Sequence, residues 1–129
     1  MRIGDYCTGL QHIGIPTLDI DKTIAFYQSL DFEVIYQRTN DNGQRVAFLQ
    51  LGNLQIETYD KEPAAMQAGA FEHIAIDVKD IEGLFEVVKA KGFNITDYPI
   101  HDLPYWEHGI RYFKIEGPNK ETIEFCEKK

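Results

Sequence analysis

Two histidines and two glutamates, His12, Glu57, His73 and Glu124, recur at matched places in the two halves of this 129-residue chain. Two neutral imidazoles and two carboxylates make a donor set suited to one divalent first-row metal. Imidazole favours zinc, nickel, cobalt or iron, and carboxylate also accepts manganese or magnesium. Four protein ligands in a six-coordinate sphere leave two positions for water or substrate oxygens, as metal-assisted catalysis requires. A lone His or Glu on a strand is most often a structural or surface residue. Recurrence changes that weighting, because neither core filling nor solvation gives a reason for both types to return at equivalent positions.

The equivalence comes from an internal repeat. With a shift of 61 positions, Leu10-Gln11-His12-Ile13-Gly14-Ile15 lies over Phe71-Glu72-His73-Ile74-Ala75-Ile76, Asp19-Ile20 over Asp80-Ile81, and Phe32 over Phe93. The shift grows to 66 at Gly43-Gln44-Arg45 over Gly109-Ile110-Arg111, and to 67 at Ile56-Glu57 over Ile123-Glu124. The second copy therefore carries five extra residues between Asp97 and Gly109 and one more around Gly117-Pro118-Asn119. Both insertions are expected in loops.

Each copy reads as the same succession of elements. An alternating strand (Leu10 to Pro16; Phe71 to Val78) precedes Asp19 or Asp80, which is placed to cap a helix. Ile20, Thr23, Ile24 and Tyr27 form an i, i+3, i+4, i+7 stripe, repeated by Ile81, Leu84, Phe85 and Val88. Gly92 suits a left-handed position ending the second helix, with Asp31 as its less favourable counterpart. Three strands follow in each copy: about 32–37, 44–51 and 54–59, then about 93–97, 110–115 and 122–126. Asn42-Gly43 and Gly52-Asn53 mark turns. Residues 61–70, with Pro63 and Gly69, read as a linker with room for one helical turn. The expected fold is α+β, a single domain over 1–129 of two tandem βαβββ modules (about 9–60 and 71–127) forming a curved mixed sheet around a cleft.

Strand parity places the four polar residues together. Side chains alternate across a strand. Ile13 and Ile15, or Ile74 and Ile76, form the face that covers the helix, so His12 and His73 turn the other way. Leu54 and Ile56, or Ile123 and Phe125, do the same in the last strands, so Glu57 and Glu124 also turn away from the helices. If the sheets curve around a cleft, the four converge.

Composition narrows the partners. The chain is 43% hydrophobic and 26% charged, with formal net charge −8 and no basic run. Such a surface repels phosphate backbones and anionic lipid, so nucleic acid and membranes are poor partners and a small molecule is the expected one. Residues Met1 to Cys7 lack the apolar stretch of a secretory leader, and no run approaches the ~18 residues of a membrane span. Cys7 and Cys126 are too sparse for a disulfide scaffold and read as reduced thiols in the cytoplasm.

The motifs Gln11-His12-Ile13-Gly14-Ile15, Leu54-Gln55-Ile56-Glu57-Thr58, Glu72-His73-Ile74-Ala75-Ile76 and Glu121-Thr122-Ile123-Glu124-Phe125 resemble the ligand-bearing strands of the vicinal oxygen chelate superfamily, also known as the glyoxalase–bleomycin resistance–dioxygenase family. The resemblance covers residues 9–127, and His, Glu, His, Glu in this order is similar to the ligand set of bacterial glyoxalase I (lactoylglutathione lyase). It implies that the first and last strands of each module lie side by side, with His12 near Glu57 and His73 near Glu124. It also implies one divalent ion per site (Ni, Co, Zn, Mn or Fe), a homodimer, and proton transfer on a metal-chelated 2-oxoaldehyde hemithioacetal. In that chemistry Glu124 is the base and Glu57 the second carboxylate, able to exchange roles with it. Extradiol dioxygenases and fosfomycin-resistance enzymes of the superfamily use three ligands, here His12, His73 and Glu124, and a non-catalytic binding protein is a further alternative. Glutathione-using glyoxalases carry an Arg four residues after the first ligand and an Asn four after the first Glu. This chain has Pro16 and Lys61, which implies the same chemistry on a different thiol.

Outside the repeat, residues 98–108 hold Trp106, a candidate substrate contact in a lid or wall over the cleft, beside the alternative of a surface loop anchored by Trp106. His101 and His108 have no repeat support as ligands. Cys126 reads as a filler thiol rather than a nucleophile, and Arg45 and Arg111 as structural salt-bridge partners.

Overall fold

A computed structural model describes residues 2–129; Met1, part of the N-terminal segment considered above, lies outside the described residues. The chain divides into two compact units, Met1–Ala64 and Ala65–Lys129. The boundary falls inside the stretch read as a linker. That stretch contains bends but no helical turn. With Pro63 and Gly69 so close together, too few residues remain to repay helix nucleation.

In the first unit, β1 (Ile13–Thr17), α1 (Ile20–Ser29), β2 (Glu33–Thr39), β3 (Arg45–Leu51) and β4 (Leu54–Asp60) follow a short 3-10 turn at Ile3–Tyr6. The second unit repeats the order with β5 (His73–Asp77), α2 (Ile81–Ala90), β6 (Ile95–Leu103), β7 (Ile110–Glu116) and β8 (Thr122–Lys128). Each forms a four-stranded mixed sheet, β1-β4-β3-β2 in one and β5-β8-β7-β6 in the other. The first and last strands of each unit are parallel neighbours and the remaining pairs are antiparallel. The fold is α+β, two βαβββ modules.

Both helices are built as their sequences require. The Asp19 carboxylate accepts from the Lys22 N–H at 3.1 Å, and that of Asp80 accepts from the Gly83 N–H at 3.2 Å. Asp31 and Gly92 both take left-handed backbone, at φ 69° and 79°, where the chain leaves each helix. Ile20, Thr23 and Tyr27 of α1 are buried, as are Ile81, Phe85 and Val88 of α2. These stripes lie on β2–β4 and β6–β8 respectively. There they meet Ala47, Leu49 and Ile56, or Phe113, Ile115 and Ile123, all 1% exposed or less. Each large apolar side chain so buried stabilises its unit by about 1.5–3 kcal/mol.

Two boundaries differ from expectation in ways that matter for the site. The first strand of each module starts at Ile13 or His73 rather than at Leu10 or Phe71, so His12 stands one residue ahead of β1. The five-residue insertion is not wholly a loop. Residues 98–103 belong to β6, which resumes pairing with β7 after an irregularity between Thr96 and His101. A bulge absorbs surplus residues without ending a strand, and Asp97 at φ 51° begins this one. The remaining 104–109 connect β6 to β7. Among the described residues, no helix is long and apolar enough to cross a membrane.

Candidate metal centre

Register decides which side chains share a face. In β1 and β4, Gly14 pairs with Glu57; in β5 and β8, Ala75 pairs with Glu124. The intervening pairs, Ile13 with Ile56 and Ile74 with Ile123, carry the apolar side chains of the helix-covered face. Both glutamates therefore turn to the opposite face, as parity predicts. The small residue facing each glutamate leaves its carboxylate free to lean toward the histidine. A Cβ at Gly14 would already touch Glu57 Oε1 at 3.9 Å and the Tyr59 ring at 3.7 Å.

The result is one His–Glu pair in each unit. His12 Nε2 lies 3.5 Å from Glu57 Oε1, and His73 Nε2 lies 3.0 Å from Glu124 Oε2. The second pair is tighter and drier: the Glu124 side chain is 11% exposed against 27% for Glu57. Among the described residues, no group of three or more His, Cys, Asp or Glu side chains is placed to hold a metal ion.

Each histidine also has a neighbour on its other ring nitrogen. His12 Nδ1 lies 2.9 Å from the Gln11 side-chain oxygen, and His73 Nδ1 lies 3.2 Å from Glu72 Oε1. An ionised carboxylate or an amide oxygen only accepts, so both nitrogens of each ring face acceptors. On the Nε2 side, a proton or a cation must lie between the ring and the carboxylate oxygen. Ligand atoms about 2.1 Å from a common ion stand about 3.0–3.4 Å apart in octahedral or tetrahedral spheres. The separations of 3.0 and 3.5 Å fit that requirement.

Several neighbours of the pairs were not singled out in the sequence. Gln11 and Glu72 each precede a histidine, so the repeat alignment already held them in equivalent places. Phe48 and Lys114 are the cross-strand partners of Glu57 and Glu124. The Phe48 ring stands edge-on to His12 with centroids 5.5 Å apart. Lys114 Nζ instead lies 3.5 Å from Glu72 Oε1. His73 and Lys114 together hold the Glu72 carboxyl below the usual carboxylate range.

The remaining candidates have neighbours of their own. Trp106 is 70% exposed, and the Lys128 ammonium sits 4.1 Å from its ring centroid. His101 stacks on Tyr112, and its Nε2 donates to the Asp97 carbonyl at 2.6 Å. His108 Nε2 lies 3.6 Å from Glu107 Oε1. Cys126 pairs in register with Asp77 and shares a face with Glu124. Burial first, then the charges of Glu124 and Asp77, push its thiol up, away from nucleophilic thiolate. Arg45 and Arg111 bind Asp21 and Glu82 in the first turns of α1 and α2, at 2.9 and 2.6 Å. They tie sheet to helix in both modules.

Comparison with known proteins places this architecture. In sequence, the chain is 32% identical over 125 residues to an uncharacterized Bacillus subtilis protein, YwbC, covering 92% of this chain and 97% of that one. It is 29% identical to a Brassica oleracea var. gemmifera protein named "Putative lactoylglutathione lyase", covering 91% of this chain but only 43% of that longer protein. In structure, it resembles a glyoxalase family protein from Enterococcus faecalis (TM-score 0.75, 18% identity, 92% and 96% of the two chains). It also resembles the fosfomycin resistance protein FosX of Listeria monocytogenes in a complex with Mn(II) and sulfate (TM-score 0.69, 20% identity, 95% and 94%). A family model matches residues 9–125, spanning both modules, and by that match the chain belongs to the Glyoxalase/Bleomycin resistance protein/Dioxygenase superfamily.

Proposed function

We propose that the chain is a metal-dependent lyase or isomerase of glyoxalase I type, with His12, Glu57, His73 and Glu124 as the four protein ligands of one divalent ion. The observation that carries this reading is the repeated His Nε2–Glu carboxylate pair, at 3.5 and 3.0 Å, with each Nδ1 beside a side-chain oxygen. The pairs would supply two imidazole nitrogens and two carboxylates, a set that takes Ni, Co, Zn, Mn or Fe. When bound, such an ion acts as a Lewis acid toward the adjacent oxygens of a 2-oxoaldehyde hemithioacetal.

The chain's own residues then move one proton. The Glu124 carboxylate takes it from the carbon bearing the thiol and returns it to the neighbouring carbon, and the Glu57 carboxylate is the partner that can exchange roles with it. Glu124 is the less exposed of the two carboxylates, so little water competes with the substrate there. Pro16 and Lys61 stand where glutathione-using relatives have Arg and Asn, so the thiol of the substrate is one other than glutathione. Small-molecule turnover as a cytoplasmic homodimer completes the reading.

A second reading has one observation in its favour. The longer N–O separation and greater exposure of Glu57 suit a three-ligand set of His12, His73 and Glu124, as in an oxygenase or thiol transferase. Metal analysis and activity of Glu57→Gln separate the two. Under the lyase reading, purified protein carries one divalent ion per His12–Glu57–His73–Glu124 set and isomerises methylglyoxal hemithioacetals. E57Q then loses both metal affinity and activity. Intact affinity and activity in E57Q refute the four-ligand set, and a wild type that binds no divalent metal points to a binding protein.

A further inference from the structure

The second unit holds a lysine where the module does not require one. Lys114 of β7 is the cross-strand partner of Glu124 of β8, so the two share the face opposite α2. The equivalent place in the first unit holds Phe48, and that module packs without a cation there. The Lys114 side chain is 24% exposed, little for a lysine on a sheet surface. Its ammonium lies 3.5 Å from Glu72 Oε1 and 5.8 Å from the Tyr112 ring centroid. Neither neighbour satisfies it. A charge-assisted hydrogen bond is about 2.7–2.9 Å long, and the Glu72 side chain is itself 63% exposed. Among the described residues, no other carboxylate lies within 4.0 Å of this ammonium. Its other donors are therefore open. Tyr112 continues the same face two residues along β7, and its ring stacks on His101 with centroids 5.2 Å apart. Beside Glu124 there is thus an underused cation next to a flat aromatic surface.

We propose that Lys114 is a specificity-determining residue that receives a carboxylate carried by the thiol portion of the substrate, which makes that thiol a small acidic one. The assignment of substrate class rests on Glu124 as the base under Proposed function; the carboxylate-binding role of Lys114 does not. Cross-strand partners hold their Cβ atoms about 4.5–5.5 Å apart. A substrate whose reacting carbon stands at Glu124 therefore passes its next few atoms over Lys114 and Tyr112. The ring face takes the methylenes of such a thiol, and the ammonium takes its acid. A chain of net charge −8 repels anions at long range, so an acidic substrate needs a cation placed where it docks. Lysine suits the task, since its donors rotate on a flexible stem and follow the carboxylate. One ammonium and one ring face match a short monocarboxylate thiol better than a larger peptide thiol with two carboxylates.

The test pairs turnover with binding in the full-length protein. Methylglyoxal hemithioacetals of 3-mercaptopropionate and 2-mercaptoethanol differ chiefly in the terminal carboxylate. With divalent metal in excess, wild type is expected to show a KM about tenfold lower for the acidic one, at similar kcat. Lys114→Met removes that preference through KM, and Lys114→Arg, which keeps the charge, restores most of it. NMR titration of metal-free protein with 3-(methylthio)propionate, and with its neutral amide, reads binding without turnover. The carboxylate is expected to bind more tightly than the amide and to shift backbone signals of β7 and β8. K114M loses this advantage, K114R retains it, and the same spectra show that each variant is folded. Equal binding of acid and amide by wild type, or an undiminished advantage in K114M, overturns the role of Lys114. If the acid binds preferentially but neither hemithioacetal is turned over, the carboxylate site stands and the glyoxalase-type chemistry falls. If both are turned over with equal KM, the chemistry stands and the specificity role falls.

Discussion

At the scale of single residues, the proposed chemistry rests on four side chains whose surroundings differ. Glu124 is nearly buried and 3.0 Å from His73 Nε2, while Glu57 is more open and 3.5 Å from His12. Under the proposed function, Glu124→Gln keeps the shape and, with metal supplied in excess, removes the base. Its kcat is expected to fall by about 10²–10⁴, with KM changed little, in steady-state assays on methylglyoxal hemithioacetals. A loss smaller than tenfold would move the proton-transfer role to Glu57. The thiols differ as well. Cys7 is exposed, whereas Cys126 is partly covered and its thiol is pushed up by burial and by Glu124 and Asp77. A group whose pKa rises has less thiolate at a given pH, so near pH 8 iodoacetamide should label Cys7 well before Cys126. Mass spectrometry of a labelling time course checks this, and faster labelling of Cys126 would contradict the shift.

Elements set these side chains in place, and α2 shows how tightly sequence and geometry are coupled. Its N-terminus is closed twice: by the Asp80 carboxylate on the Gly83 N–H, and by Glu127 of β8, which accepts from the Asp80 and Ile81 N–H groups at 2.9 and 3.1 Å. A Cβ on Gly83 would run into the capping carboxylate of Asp80. Gly→Ala inside a helix gains about 1 kcal/mol in propensity, and losing an Asp cap costs about 1 kcal/mol. Gly83→Ala should therefore be close to neutral in the wild type. In an Asp80→Ala background the same change should stabilise by about 1 kcal/mol. Urea denaturation of the four proteins in that cycle measures the difference, and simple additivity would show that Asp80 and Gly83 do not compete for the same space. The sheet has its own version of this coupling. Ala75→Leu puts bulk opposite Glu124 on the site face, and is expected to weaken metal binding far more than folding.

For the molecule as a whole, charge and ligand linkage govern stability. Asp21 is held below the usual carboxylate range by its hydrogen bond and charge interaction with Arg45, and Asp102 by Lys129 foremost and then Arg111. Carboxyl groups lowered in this way contribute stability above their unfolded pKa, near 4, and lose it as pH falls through the folded value. These pairs are exposed, so the contribution is small and salt screens it. Denaturant midpoints should fall between about pH 5 and pH 2, less steeply for Asp21→Asn, and raising salt should narrow that gap. A bound divalent ion acts on a larger scale. An ion present at a hundred times its Kd adds about 2.7 kcal/mol to the folded state. Chelator treatment of metal-loaded protein is expected to lower Tm, and to leave Tm unchanged in a His12→Ala, His73→Ala double variant.

The repeat, both helices and the facing of the four polar residues were legible in the chain because each depends on a local period. Asp19 and Asp80 cap, Tyr27 and Phe85 are buried, and Glu57 and Glu124 turn from the helices, all as spacing of two or of three and four residues dictates. What tertiary structure alone decided is who stands beside whom. His12 meets Glu57 because β4 docks parallel to β1 across a gap of 45 positions in the chain, a pairing with no local signature. Phe48 beside His12, and Lys114 between Glu72 and Glu124, follow from antiparallel register in the same way. The bulge at Asp97 kept half of an expected loop inside β6, because extra residues were absorbed where the partner strand still offered hydrogen bonds. Residue types and parity nominated the donors. Strand order and register brought them together in His–Glu pairs, and set a carboxylate behind one imidazole and an amide behind the other.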